Sequence, residues 1–301
     1  MTNEEKQTEI LKLKKELNAV IIAHNYQIPE IQDISDFLGD SLELSKKVTK
    51  LDNKNIFFCG VKFMAETAKI LSPEKHIYIP EIEAGCRMAD MVSAKSLREF
   101  KKKYPGAKTV CYVNTTAETK TECDICCTSA NAVDIVNSLD ANTILFVPDS
   151  NLASYVQTKT LKKIIPYPGY CYVHNLIKKD DVEMARVLHP DAIVIVHPEA
   201  KLEASLAADY VLSTGGMVKI AKETNKKEIV VGTEEGMIYR LQKENPDKKF
   251  YPLKDKLICQ GMKAITLDNL LKSLKELKYE IKLPEEIIKN AYKPIQRMVE
   301  L

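Results

Sequence analysis

An α/β fold is predicted for this chain of 301 residues: three similar parallel-sheet domains, an internal repeat arranged with pseudo-threefold symmetry around a central active site. Three observations predict it. Landmark segments recur with a single period; the recurring segments alternate β-branched apolar runs with helical patterns; and polar residues recur where those runs stop. Strand and helix signals in alternation imply crossover connections, hence parallel sheets. In such sheets the functional side chains gather at the carboxyl ends of the strands.

The first recurring segment, KKELNAVIIAH, ends at His24, and its counterparts KKYPGAKTVCYVN and ARVLHPDAIVIVH end at Asn114 and His197, spacings of 90 and 83 residues. A hydroxyl residue at the start of a helical pattern follows each time: Ser41 before LELSKKV, Ser129 before ANAVDIV and Thr214 before GGMVKIA, spaced by 88 and 85. A second strand set, NIFFCG, TILFVPD and EIVVGTE, ends at Gly60, Asp149 and Glu234, spaced by 89 and 85, and leads into patterns such as KFMAETAKIL. A third set, EKHIYIPEIEAGC, KKIIPYPGYC and KKFYPLKDKLIC, carries a lysine-led strand to Cys86, Cys171 and Cys259, spaced by 85 and 88. Four landmark classes thus share one period of about 86 residues, and a coincidence in one class would not carry the others. The repeats span residues 1–86, 87–171 and 172–262. Helical patterns such as ITLDNLLKSLKELK fill 263–301 and are expected to pack on the first repeat.

Lys plus Arg number 44 against 42 Asp plus Glu, interspersed, which leaves no polyanion-seeking face, so no nucleic acid partner is expected. The polar start MTNEEKQTEI lacks the basic and apolar regions of a secretory signal, and a cytoplasmic location is expected. Apolar runs such as Ala19–Ala23 and Ala192–Val196 have strand length, far short of the ~18 residues of a membrane span, so no membrane partner is expected. In a reducing compartment, eight cysteines are free thiols or metal ligands rather than a disulfide framework.

Cys86, Cys171 and Cys259 are equivalent under the repeat, whereas Cys59, Cys111, Cys123, Cys126 and Cys127 have no counterparts. A single cysteine reads as a small buried hydrophobe, but threefold equivalence of a soft ligand reads as a metal site. No histidine or cysteine recurs beside the trio as a fourth ligand. Three thiolates therefore suit a 4Fe-4S cluster with one open iron better than zinc, and an open iron can act as a Lewis acid. The denser stretch TECDICCTSA lacks a second Cys or His pair, and Thr119 stands where a radical-type C-x-x-x-C-x-x-C motif would need another thiol.

With IIAHNYQ around His24, GDSLELS around Ser41, CYVNTTAE around Asn114, CTSANA around Ser129, PGYCYVH around Cys171, HPE at 197–199, STGGM around Thr214 and CQGMKAITL from Cys259, the chain resembles the quinolinate synthase family. The resemblance implies a cytosolic enzyme of de novo NAD synthesis. Its members condense iminoaspartate with dihydroxyacetone phosphate to quinolinate, phosphate and water, and are linked functionally to an aspartate-oxidising enzyme. It also implies an oxygen-sensitive 4Fe-4S cluster on three cysteines matching Cys86, Cys171 and Cys259. Two departures stand out. Leu253 and Lys256 occupy spacings where some relatives carry further cysteines, and Ala200 follows HPE where many carry cysteine.

Iminoaspartate is a dicarboxylate, so Ser41, Ser129 and Thr214 are read as an anion cradle at helix starts; taken singly, each would be an ordinary cap. His24 and His197 can donate to a carboxylate or move protons. Tyr26 and Tyr112 are candidate proton donors to the triose, with Asn114 alternating with Tyr112 on one strand. Glu199 is the candidate general base, and His174, three residues from Cys171, has an acid–base or supporting role. His76 and His189 receive no role. Two rival readings are a cluster-dependent hydro-lyase of another small acid, and a non-enzymatic iron or redox sensor built on the 123–127 thiols.

Overall fold

The computed structural model describes residues 1–301. Twelve strands form three separate four-stranded sheets, all parallel. The first sheet contains β1 (Ala19–His24), β2 (Phe37–Gly39), β3 (Asn55–Cys59) and β4 (His76–Tyr78) in the order β2-β1-β3-β4. The second contains β5 (Lys108–Tyr112), β6 (Ile125–Cys127), β7 (Thr143–Val147) and β8 (Lys163–Pro166) in the order β6-β5-β7-β8. The third contains β9 (Ile193–Val196), β10 (Tyr210–Val211), β11 (Glu228–Gly232) and β12 (Lys249–Pro252) in the order β10-β9-β11-β12. The α/β class and the three similar parallel-sheet units expected from the periodicity are what is observed. In each unit the chain moves from its first strand to one side and then crosses to the other, and ligand crevices form at the carboxyl ends beside such a reversal.

Every residue of β1 is buried. Helices cover both faces of a parallel sheet, so its strands read as unbroken apolar runs rather than alternating ones. The periodicity predicted three strands per unit; the fourth, absent from that reading, is the edge strand β2, β6 or β10, of two or three residues. Elements this short have no period to detect. Each is set in place by an aspartate just before it. Asp36, Asp124 and Asp209 accept the backbone N–H of Ile21, Thr109 and Val194 at 2.9, 2.8 and 2.7 Å. Each aspartate's own N–H returns to the carbonyl of the same residue.

The lysine that opens each third landmark also has one task in all three units. Lys75 Nζ donates to the carbonyls of Val48 and Leu51, Lys162 to those of Val136, Asn137 and Leu139, and Lys248 to those of Ala221 and Thr224. These carbonyls lie at or just beyond the ends of the helices Ser41–Val48, Ala132–Ser138 and Thr214–Glu223, where carbonyls run short of intrahelical donors. Lys248→Met is expected to leave one buried and one half-buried carbonyl without their donor and to cost about 1–3 kcal/mol. Urea unfolding at neutral pH checks it, and a midpoint equal to that of the wild type would refute the assignment.

The helix Leu267–Glu276 packs on the N-terminal helix Asn3–Glu16, with Lys6 paired to Asp268 at 2.7 Å. The last helix, Glu285–Glu300, reaches beyond the first unit. It lies across Lys62–Leu71 and also against β6 and Ala117–Lys120 of the second, where Asn131 Nδ2 donates to the Met298 carbonyl at 3.0 Å. One core of 69 buried residues runs through the first two units and into the third, which holds a further cluster of 12. No helix is long and apolar enough to cross a membrane.

Candidate active site

At the carboxyl ends of the three sheets lies one cavity of about 70 Å³, lined by residues from all three units. His24 ends β1, Tyr112 ends β5 and His197 directly follows β9, and all three line it. Asn114 lines it too, from the bend beyond β5 rather than from the strand itself. Tyr26 and Glu199, each two residues past a histidine, and Ser41, Ser129 and Thr214 face the same space. Cys86, Cys171 and Cys259 enter from the segments after β4, β8 and β12, with His174 beside them. Cys59, Cys111, Cys123, Cys126 and Cys127 are instead buried in the core.

The three hydroxyl residues are not the helix caps. Asp40 caps the helix at Ser41, accepting from the N–H of Leu42 and Glu43 at 3.0 and 2.9 Å, and Ser213 caps the helix at Thr214, accepting from Gly216 N at 3.2 Å. The third helix begins only at Ala132, so Ser129 lies in the turn ahead of it. The free backbone N–H groups expected at these positions are thus largely taken, and the hydroxyls themselves face the cavity. Thr214 Oγ1 accepts from Asn25 Nδ2 at 2.8 Å, and Ser129 Oγ sits 3.1 Å from His197 Nε2.

His24 and His197 share one geometry. The Nδ1 of His24 accepts the N–H of Tyr26 at 3.2 Å, and that of His197 the N–H of Glu199 at 3.4 Å. Nδ1 is therefore unprotonated, and the proton of a neutral ring sits on Nε2. Burial pushes both rings down to about 3. Around His24, His197, Lys263 and Arg240 act in the same direction as burial and Glu199 acts against it. Each ring is thus a fixed Nε2–H donor at neutral pH. An unfolded histidine binds its proton near 6.5, so the unfolded chain holds the extra proton between pH 6.5 and 3 and each ring's stabilisation is lost as pH falls through that window. Buried Glu66 and Asp149, pushed upward mainly by desolvation, work in the opposite sense, so a variant comparison isolates the ring. Stability measured by urea at pH 7 and pH 5 is expected to fall less in His24→Gln than in the wild type, by about 1–2 kcal/mol. Equal losses would contradict the neutral buried ring.

A run of short hydrogen bonds joins five side chains. Tyr26 Oη lies 2.6 Å from Thr233 Oγ1, which lies 2.8 Å from His174 Nε2; His174 Nδ1 lies 2.7 Å from Glu199 Oε2; and Tyr112 Oη donates to Glu199 Oε1 at 2.6 Å. Burial and then the Glu199 charge push both tyrosines well above the usual phenol range, so both remain protonated donors. Burial raises the Glu199 carboxyl, but the His174 and His197 rings and the hydrogen bonds from His174 and Tyr112 outweigh it and hold the group well below the usual carboxylate range. Thr233 was missed by sequence reasoning, because nothing in VVGTEEG marks a threonine as functional.

The donor set also decides which metal group it can hold. The ligand atoms of Cys171, His174 and Glu199 lie within 4.8 Å of one another, so these residues could hold an ion. Yet the 2.7 Å between His174 and Glu199 is a hydrogen bond, closer than two ligands of one zinc, each ~2.0 Å from the metal, would stand. Three thiols line the cavity and no fourth does, a set that suits a polynuclear group better than a closed zinc site. Burial, with Cys259 acting in the same direction, pushes Cys86 up to about 12, and burial raises Cys171 and Cys259 as well. A metal cation among them would favour their thiolate forms. The residues fit an iron–sulfur cluster.

The family model described as Quinolinate synthetase A protein matches residues 8–300. The chain is 55% identical to a quinolinate synthase of Dehalococcoides mccartyi over 290 residues, 96% of each chain. It is also 55% identical to one of Pyrococcus furiosus over 300 residues, 99% of this chain and 98% of that one. A third, from Thermodesulfovibrio yellowstonii, is 53% identical over 294 residues, 97% of each.

Proposed function

Because the chain belongs to the quinolinate synthase family and so serves NAD biosynthesis, we propose that its cavity condenses iminoaspartate with dihydroxyacetone phosphate to quinolinate, phosphate and water. The observation that carries this reading is the meeting of three cysteines, one after each sheet, with the strand-end side chains on one cavity. Cys86, Cys171 and Cys259 would hold a 4Fe-4S cluster. When bound, it supplies an iron with an open position, a Lewis acid for a substrate carboxylate, nitrogen or hydroxyl.

The remaining chemistry belongs to the chain. Both substrates are anionic, yet no lysine or arginine lines the cavity. Neutral donors must therefore hold the anionic groups in low dielectric, where each donor counts for more than in water. The Nε2–H groups of His24 and His197, the hydroxyls of Ser41, Ser129 and Thr214, and the Asn114 amide are placed to do so. Glu199, ionised and held by two hydrogen bonds, takes a proton from a carbon or hydroxyl of the triose. Tyr112 and Tyr26 return protons to departing hydroxyls. Through His174 and Thr233 a proton gained at Glu199 can reach Tyr26, with every transfer spanning a hydrogen bond already formed.

The test is anaerobic purification, an iron and sulfide assay, and measurement of quinolinate from the two substrates. Product formed only by iron- and sulfide-loaded protein is the expected result. A loaded protein that forms none would favour a hydro-lyase of another small acid. Cytoplasmic location and a functional link to an aspartate-oxidising enzyme belong to this reading, since iminoaspartate must be supplied by oxidation of aspartate.

A further inference from the structure

The second strand set of the three units ends at equivalent residues, Gly60, Asp149 and Glu234, and the two carboxylates among them have no part in the chemistry above. Both are 0% exposed. Asp149 Oδ2 accepts the backbone N–H of Cys171 at 3.2 Å while Oδ1 accepts that of Leu152 at 2.7 Å. Glu234 Oε1 accepts the backbone N–H of Cys259 at 3.0 Å, while Oε2 takes Gly236 N at 2.8 Å and Lys263 Nζ at 2.9 Å. Two units thus make the same contact: an acid beyond β7 or β11 grips the peptide of the cysteine that follows the next strand. In the first unit the equivalent residue has no side chain. No hydrogen bond reaches the Cys86 N–H, and its segment is tied by backbone alone, with Lys62 N donating to the Ala84 carbonyl at 2.8 Å.

The choice of acids follows from the pattern. A carboxylate accepts on both oxygens, and both oxygens of both residues face N–H donors; an amide would turn its own NH2 toward one of them. Burying a carboxylate is costly unless such bonds are made, so its presence at two matched positions needs a cause.

We propose that Asp149 and Glu234 are positioning residues for the sulfur trio, fixing the peptides of Cys171 and Cys259 and so the direction of two sulfurs, with Cys86 as the compliant third. The inference rests on the reading of the trio as the holder of an iron–sulfur cluster. It has an electronic consequence. Hydrogen bonds to ligand sulfur are among the levers that set a cluster's properties. Two ligand N–H groups committed to carboxylates are withheld from the sulfurs and would be released by their removal.

The test compares anaerobically loaded wild type with Asp149→Ala, Asp149→Asn, Glu234→Ala and Glu234→Gln. It follows iron release to a chelator, the electron paramagnetic resonance spectrum after reduction, and thermal unfolding. The alanine variants are expected to release iron several-fold faster and to show a shifted spectrum, the amide variants to fall between, and Asp149→Glu or Glu234→Asp to recover part of the loss. Wild-type release and spectrum in all four acid-to-neutral variants overturn the proposal. Should the alanine variants fail to fold, the amide variants, which keep side-chain volume and one acceptor, decide alone by the same criterion. Wild-type protein that takes up no iron and sulfide would instead sink the underlying reading of the trio.

Discussion

Serine in place of Cys86, Cys171 or Cys259 is expected to abolish iron and sulfide retention and to lower quinolinate formation by on the order of 10³-fold or more. A hydroxyl of the same size offers a hard oxygen that must still lose a proton, and soft iron sites select thiolate. Removing one of three anchors also leaves two half-buried thiols that desolvation keeps protonated, so the loss does not stop at one bond. The contrast is with Cys123, Cys126 and Cys127. They lie in the core and touch no part of the cavity, so their replacement by serine is expected to cost stability by burying hydroxyls while iron content per folded molecule stays at the wild-type level. A sensor built on those thiols requires the reverse. Iron and sulfide analysis of the two variant sets, purified side by side, separates the readings.

What the sequence disclosed and what it hid divide along a physical line. The central strands, the sulfur trio and the strand-end histidines recur with a fixed period, and a repeated residue can be recognised without knowing what it touches. The edge strands were too short to have a period; Ile125–Cys127 lies inside a stretch whose thiols draw attention away from its pairing with β5. Thr233 is hidden for another reason. Its partners Tyr26 and His174 lie 207 and 59 residues away, and a hydroxyl that bridges such groups has no local signature. The caps were misplaced by one residue for a third reason: Asp40 and Ser213 are as apt to cap as the Ser41 and Thr214 beside them, and only backbone conformation decides. Asp149 and Glu234 were visible as repeat positions, but their contact with the cysteine peptides needed coordinates.

Glu199→Gln is expected to reduce kcat by about 10²–10⁴-fold with little change in KM and none in iron content. The substitution keeps the volume of a residue that is 3% exposed, so packing should survive. What changes is that one oxygen becomes an NH2. Tyr112 Oη donates to one carboxylate oxygen and the His174 ring faces the other, and a single amide can accept from only one of them. The base is lost and the relay is cut at its centre. Thr233→Val cuts the same run one step earlier. It leaves the Glu199–Tyr112 pair intact and removes the hydroxyl bridging Tyr26 and His174, whose Oη and Nε2 still lie 3.4 Å apart, so its cost should be smaller, about 10-fold in kcat. The ordering of the two variants carries the argument. If Glu199 acts alone, Thr233→Val should behave as wild type; if the five groups act as one path, both should slow turnover and the double variant should cost less than the two losses combined, because a path already cut cannot be cut again. Single-turnover measurement of quinolinate formation distinguishes these outcomes, and wild-type kcat in Glu199→Gln would remove the carboxylate from the chemistry altogether.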